Sequence, residues 1–223
     1  MPLKRHYPDI RFSGNLVTPD EIDRYEQYQV INPAISVTFF GSATAGTASQ
    51  AKALGLGNTV ADYPRNVAAV FSGSAAVYGT VAVTGKDQFG NSQIESLALA
   101  TGTQEAGVVN GTKIFAEVSA ATCTFGTITG TGTCSLGVGT TKTACLFGLP
   151  TKIGSVNDVK AITWTNSTGV AIPINGGTIA SSTYVDTNVH AFEGSADLTG
   201  TTTYSVLFKP SYVAESLAKM ANL

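Results

Sequence analysis

The sequence predicts an all-β protein: an antiparallel β-sandwich, immunoglobulin-like or jelly-roll-like, with an extended N-terminal arm and short terminal helices. The chain of 223 residues contains 30 Thr and 24 Gly, which are poor helix formers. Charged residues make up only 13%, against a usual share of roughly 25%, which is too few for the solvated surface of a helical bundle. Strand-like segments also recur roughly every 8 to 15 residues, with Gly and Thr in the turns between them.

Residues 1–60 are predicted to form an arm that contains a short helix. Nine of the 28 charged residues (13 Lys and Arg plus 15 Asp and Glu) lie within the first 30 positions. The run Thr18-Pro19-Asp20-Glu21 has the features of a helix start: a threonine cap, a proline at the first position and acids in the first turn. It predicts a helix from Pro19 to about Gln29. Residues 31–40 alternate at their end, which favours a strand.

Residues 61–212 are predicted to form the sandwich body. Residues 77–87 alternate with period two, residues 92–99 alternate in return, and Asp87 to Asn91 supply turn residues, so this region predicts a hairpin. A second hairpin is predicted within 122–139, around Gly130-Thr131-Gly132. Other predicted strands cover 66–72, 113–118, 159–166, 172–179, 182–189, 190–195 and 202–210. Helical spacing of apolar residues predicts a C-terminal helix over 213–223.

The three cysteines are predicted to be buried and not to bind metal. Cys123, Cys134 and Cys145 are spaced by eleven residues each time, and their odd number argues against a closed disulfide framework. Zinc would need closer cysteine pairs or nearby histidines, and His6 and His190 are far away in sequence. A bridge between Cys123 and Cys134 stays open as an alternative.

No catalytic, cofactor-binding or metal-binding residues are predicted, so the chain is expected not to be an enzyme. Glu95 and Glu117 lie on separate predicted strands and could face one another as a glycosidase pair, but solubility explains them better. Asp87 and Asn91 could bind calcium, although their turn is a sufficient explanation. His190 is interpreted as a surface or hydrogen-bonded residue in a strand.

Composition also limits the partners. A net charge of −2 gives no electrostatic footprint for nucleic acid. The longest uncharged stretches are rich in Thr, Gly, Ser and Asn, which excludes membrane spans of the usual kind. The basic N-terminus lacks an apolar segment behind it, so we expect no signal peptide and synthesis in a cytoplasm. The lone Trp164 is expected in the core and not as a sugar-stacking platform.

The middle of the chain resembles tailed-bacteriophage structural proteins. The similarity lies in Val81 to Asn91, Glu95 to Leu99, Gly111 to Phe115, Phe147 to Pro150 and the closing strand at 200–208, and it covers about Val67 to Pro210. The chain is similar to small head proteins that decorate or cement the capsid. The resemblance implies a virion protein made in the host cytoplasm. It also implies binding to the major capsid protein and to neighbouring copies as a homo-oligomer, without catalytic residues.

Two other functions fit the same sequence. A phage neck, tail-tube or fibre-base subunit would also use a low-charge, Thr-rich sheet surface and an extended arm. A carbohydrate-binding or adhesion sandwich would instead require two or more exposed aromatic residues on one face, which the sequence does not clearly supply.

Overall fold

A computed structural model describes residues 25–44, 51–73, 77–100, 106–126, 131–139, 145–165, 171–173, 185–194 and 201–211. Within these ranges the fold is all-β and sandwich-like, as the sequence predicts. The strands are β1 Glu26–Ile31, β2 Gly41–Thr44, β3 Ala51–Ala53, β4 Gly55–Leu56, β5 Val60–Gly73, β6 Gly79–Lys86, β7 Ser92–Leu99, β8 Ala106–Phe125, β9 Gly132–Val138, β10 Leu146–Gly148, β11 Val159–Thr165, β12 Ala171–Pro173, β13 Val185–Asp186, β14 Ala191–Glu193 and β15 Thr203–Phe208.

The larger sheet has 11 strands, and it folds into two layers that share the long strand β8. Its main order is β13-β14-β10-β5-β8-β6-β7. β9 pairs with β5 along the same edge as β10, opposite β8, and β2 pairs with β9. β8 pairs with β5 over residues 106–117 and with β6 over residues 117–125. The first half of β8 therefore lies in a layer with β5, β9 and β2, and its second half lies in a layer with β3, β6 and β7. We call these the β5 layer and the β6 layer.

Between these two layers lies the first of two hydrophobic cores. Alternate residues of β6 point inward: Gly79, Val81 and Val83 are buried, whereas Ala82 and Lys86 are exposed. The rings of Phe71 and Phe125 meet edge to face across this core, with centroids 6.4 Å apart. Its other main members are Val67, Leu97, Val118, Cys123, Cys134 and Leu136.

The second core lies against a four-stranded sheet of order β1-β15-β11-β12. This sheet packs on β10, β13 and β14, and the cluster includes Val30, Leu149, Ile162, Phe192, Val206 and Phe208. Tyr63, at the start of β5, ties the two parts together, because its hydroxyl donates to the carbonyl of Ile31 and accepts from the Ile31 amide.

The helix predicted from Pro19 to about Gln29 is wrong from Glu26 onward. Residues 26–31 form β1, which pairs with β15 over its whole length. Val30 is fully buried in the second core and Tyr28 packs against it, so tertiary packing outweighs the local helix signal. β1 to β4 are thus integral parts of the two sheets and not an arm. Residues 1–24 and the predicted C-terminal helix at 213–223 lie outside the described residues.

Two further predictions are corrected. β8 and β9 do not form a hairpin, because β9 pairs with β5 and β2 while the second half of β8 pairs with β6 and β3. Residues 31–40 do not form a strand beyond Ile31. Instead, that segment runs along β9, where Phe40 N donates to Leu136 O and Val138 N donates to Ser36 O.

Candidate functional site

A polar cavity of about 230 Å³ lies where the β6–β7 turn meets the β13–β14 turn. Residues 87–91 form one wall and residues 188–190 form another. Gln93, Ile114 and Lys152 complete the lining. The two turns are joined directly, because Gln88 Nε2 donates to the carbonyl of Val189 at 2.8 Å. The cavity is therefore built by two segments about 100 residues apart in sequence.

The turn explanation of Asp87 and Asn91 is confirmed. Asp87 Oδ1 accepts from the amides of Phe89 and Asn91 at 2.8 Å, and Oδ2 accepts from Asn91 Nδ2 at 2.9 Å. Burial opposes ionisation here, but these hydrogen bonds outweigh it and hold the pKa of Asp87 below its usual value. Across the described ranges, no three His, Cys, Asp or Glu side chains are grouped to hold a metal ion.

His190 lies in the turn between β13 and β14, and not in a strand as predicted. Its backbone is left-handed, with φ of 51°, a conformation that costs a non-glycine residue on the order of 1 kcal/mol or more. Its Nδ1 accepts from Ile153 N at 3.3 Å, and its ring meets Phe89 edge to face at 5.6 Å. Burial, and then Lys152, lower the pKa of His190, so the ring is neutral at pH 7.

The two candidate glutamates have separate partners. Glu95 Oε1 accepts from the amides of Thr112 and Lys113 at 2.7 and 3.2 Å, which fastens β7 to β8. Glu117 forms an ion pair with Lys86 at 3.1 Å. Glu95 is half-buried and structural, which corrects its interpretation as a solubility residue.

The prediction that the cysteines are buried is confirmed, and all three are free thiols. Cys123 and Cys134 come from opposite layers and share a thiol hydrogen bond inside the first core. Cys145 lies in the second core beside Arg65. Burial raises the pKa of Cys145 to about 12, more than the neighbouring guanidinium lowers it.

We expect iodoacetamide to leave the native chain unmodified at pH 8. The thiolate is the reactive form, and a pKa near 12 keeps Cys145 protonated there, while fully buried Cys123 and Cys134 are out of reach. Mass spectrometry should find all three cysteines alkylated only after guanidinium denaturation. Rapid labelling of Cys145 in the native chain would contradict this burial.

The outer surface of the β6 layer is a sheet face with mostly small side chains. Its rows follow the strand register: Ala82 lies between Ser96 on β7 and Thr122 on β8, and Thr122 in turn pairs with Ala53 on β3. The face ends at the Lys86–Glu117 ion pair. We call it the Ala/Thr face; its uncharged members are Ala51, Ala53, Thr80, Ala82, Thr84, Ile94, Ser96, Ala98, Ala120, Thr122 and Thr124.

Trp164 lies on β11 and packs, half-buried, against the second core, as the sequence predicts. Exposed large apolar side chains in the described part of the chain are scattered over several strands and the segment between β1 and β2, and are aliphatic: Ile31, Ile35, Val37, Val60, Ile94, Val108 and Leu207. No helix within the described residues is long and apolar enough to cross a membrane.

Comparisons with known proteins add little. No protein-family model matches the chain, and no curated protein matches it. A solved structure of infectious bursal disease virus, Gx strain, aligns with 86% of this chain and 43% of its own, at 13% sequence identity and a TM-score of 0.24. This chain therefore spans less than half of that viral protein.

Proposed function

We propose that this chain is a structural protein of a virus particle, a capsid decoration or cement protein of a tailed bacteriophage. It would bind the major capsid protein lattice and neighbouring copies of itself as a homo-oligomer. The observation that carries the proposal is the Ala/Thr face, which extends over four strands and has no charge before its terminal ion pair.

The Ala/Thr face suits binding by shape. Short side chains lose little conformational entropy when they are covered, and an uncharged surface has no ionic desolvation cost. Thr and Ser hydroxyls can donate or accept, so they adapt to a partner's backbone groups. The sheet surface near its centre is formed by Ala82, Thr122 and Ser96. Packing of this kind repeats well across a lattice, where each contact is weak and the number of contacts is large.

The first experiment is to count copies of the chain per purified particle by quantitative mass spectrometry against the major capsid protein. Hundreds of copies are expected for a decoration or cement protein. A copy number that matches one oligomeric ring per particle would favour the alternative, a neck, tail-tube or fibre-base subunit. Absence of the chain from particles would overturn a virion role.

Ala82→Lys is expected to weaken binding to capsids that lack the chain by about tenfold or more, because a charge would be buried at the centre of the Ala/Thr face. Ala82 is exposed, so folding stability should change by no more than about 0.5 kcal/mol. The matched control is Val108→Lys, since Val108 is 57% exposed on the β5 layer. Co-sedimentation measures both variants, and equal binding by Ala82→Lys and the parent chain would contradict the role of this face.

Tests of the N-terminal segment should remove only residues 1–24. Removing residues 1–30 would take most of β1 and with it Val30, which is fully buried in the second core. Such a truncation would unfold part of the body and would not report on an arm.

A further inference from the structure

We propose that the polar cavity between the β6–β7 and β13–β14 turns binds one saccharide ring. Its volume of about 230 Å³ lies below the roughly 300–1,000 Å³ of pockets for drug-sized ligands, so a single small ring is the appropriate size. This inference is independent of the virion proposal, because it concerns a cavity that is not part of the Ala/Thr face.

The existing hydrogen bonds fix which atoms remain for a ligand. Gln88 Nε2 donates to Val189 O, and Gln93 Nε2 donates to Ile114 O, so the Oε1 atom of each amide is left as an acceptor. His190 Nδ1 already accepts from Ile153 N, so the neutral ring carries its proton on Nε2 as a donor. The lining residues thus include two amide acceptors and an imidazole donor.

Lys152 supplies a second donor. Its ammonium lies 5.6 Å from the centre of the Phe89 ring and has no carboxylate partner among the described residues. Its charge is balanced within the lining by Asp87, and His190 is neutral. The cavity therefore has mixed hydrogen-bonding groups and no net charge.

This arrangement favours hydroxyl groups over anions. Each hydroxyl both donates and accepts, so a ring bearing several hydroxyls can satisfy the amide oxygens, the imidazole and the ammonium together. A carboxylate only accepts and a phosphate mainly accepts, so either anion would face the two amide oxygens with few donors and would be repelled by the Asp87 carboxylate. The half-buried ring of Phe89 is the apolar group of the lining that a sugar's C–H face could contact.

The lining residues also contact one another directly. The Phe89 ring is held between the edge contact with His190 and the cation of Lys152. The left-handed backbone of His190 is a strained conformation maintained by its surroundings, a feature that clusters at ligand sites. A prebuilt cavity loses less entropy on binding.

The test is a titration of the ¹⁵N-labelled full chain, followed by NMR. The probes are D-glucose, D-galactose, D-mannose and N-acetyl-D-glucosamine, with sodium acetate and inorganic phosphate as the anion arm. We expect at least one sugar to give saturable shifts confined to amides lining the cavity. Lys152→Ala and His190→Asn should each weaken that binding by about tenfold. Lys160→Ala is the matched control, since Lys160 is an exposed lysine whose ammonium also lies over an aromatic ring, that of Tyr25.

Asparagine tolerates the left-handed backbone, so His190→Asn should keep its fold, and a thermal melt checks this. If His190→Asn does not fold, Lys152→Ala still tests sugar binding at the cavity, because Lys152 is exposed. The proposal is overturned if no sugar gives saturable shifts, if only acetate or phosphate binds, or if Lys152→Ala binds as tightly as Lys160→Ala.

Discussion

Replacing Arg65 with alanine is expected to lower the free energy of unfolding by about 3–5 kcal/mol. The Arg65 side chain is fully buried, and its Nη2 lies 3.0 Å from Asp62 Oδ1 and 2.6 Å from the carbonyl of Ala34. Asp62 Oδ2 in turn accepts from the Ala34 amide at 2.6 Å. Removing the guanidinium would leave a partly buried carboxylate and a carbonyl without their partner, and would open a cavity beside Phe147.

Urea denaturation of Arg65→Ala, Asp62→Asn and the double variant would measure this effect. We expect strong coupling, with the double variant less destabilised than the two single changes added together. Arg65→Met fills more of the space and separates the loss of packing from the loss of charge. Additive effects of Asp62→Asn and Arg65→Ala would show that the ion pair does not act as a unit.

Phe147→Ala is expected to lower the free energy of unfolding by about 3–5 kcal/mol, mainly through lost apolar packing. The Phe147 ring is fully buried and packs against Phe192 at 5.5 Å and Tyr204 at 5.4 Å, so truncation leaves a large void in the second core. The melting temperature should fall by roughly 10 °C, since each kcal/mol of destabilisation lowers the Tm of a chain of this size by about 2–4 °C.

Phe89→Ala is the matched comparison for Phe147. Phe89 is half-buried at the polar cavity and belongs to neither core, so its removal should cost much less. Equal losses of stability at the two positions would mean that the second core is not closely packed around Phe147.

Alternation along single strands was the part of the fold that sequence could predict. The hairpin of residues 77–99 follows the predicted pattern, because inward Val81 and Val83 alternate with outward Ala82 and Thr84 on one half-buried sheet. The sequence pattern does not show which distant strands pair with each other. β8 alternates regularly only toward its two ends, since Ile114 and Phe115 are both buried and Ser119 and Ala120 are both exposed. The residue types in its middle do not tell that its two halves pair with different neighbours.

The candidate site was less accessible to prediction for a related reason. Its residues Gln88, Gln93 and Lys152 are ordinary surface types, and the cavity exists only because the turns at 87–91 and 187–190 meet. His190 was noticed, but its left-handed backbone depends on that tertiary contact. The sequence places Asp62 three residues before Arg65, but the burial of this ion pair depends on Ala34, which lies 31 residues from Arg65 and is bound through its backbone carbonyl.

The position of β8 has a consequence for how the chain is made. During synthesis, β5 emerges with its apolar run at residues 67–71 before either of its long partners exists. β8 follows more than 30 residues later and β9 later still, and both layers need β8 in place. Until the start of β8 has been made, this segment has no native strand partner, and its other edge stays unpaired until β9 is complete at residue 138. The nascent chain therefore contains an aggregation-prone strand that is first unpaired and then open along one edge until β9 has been made.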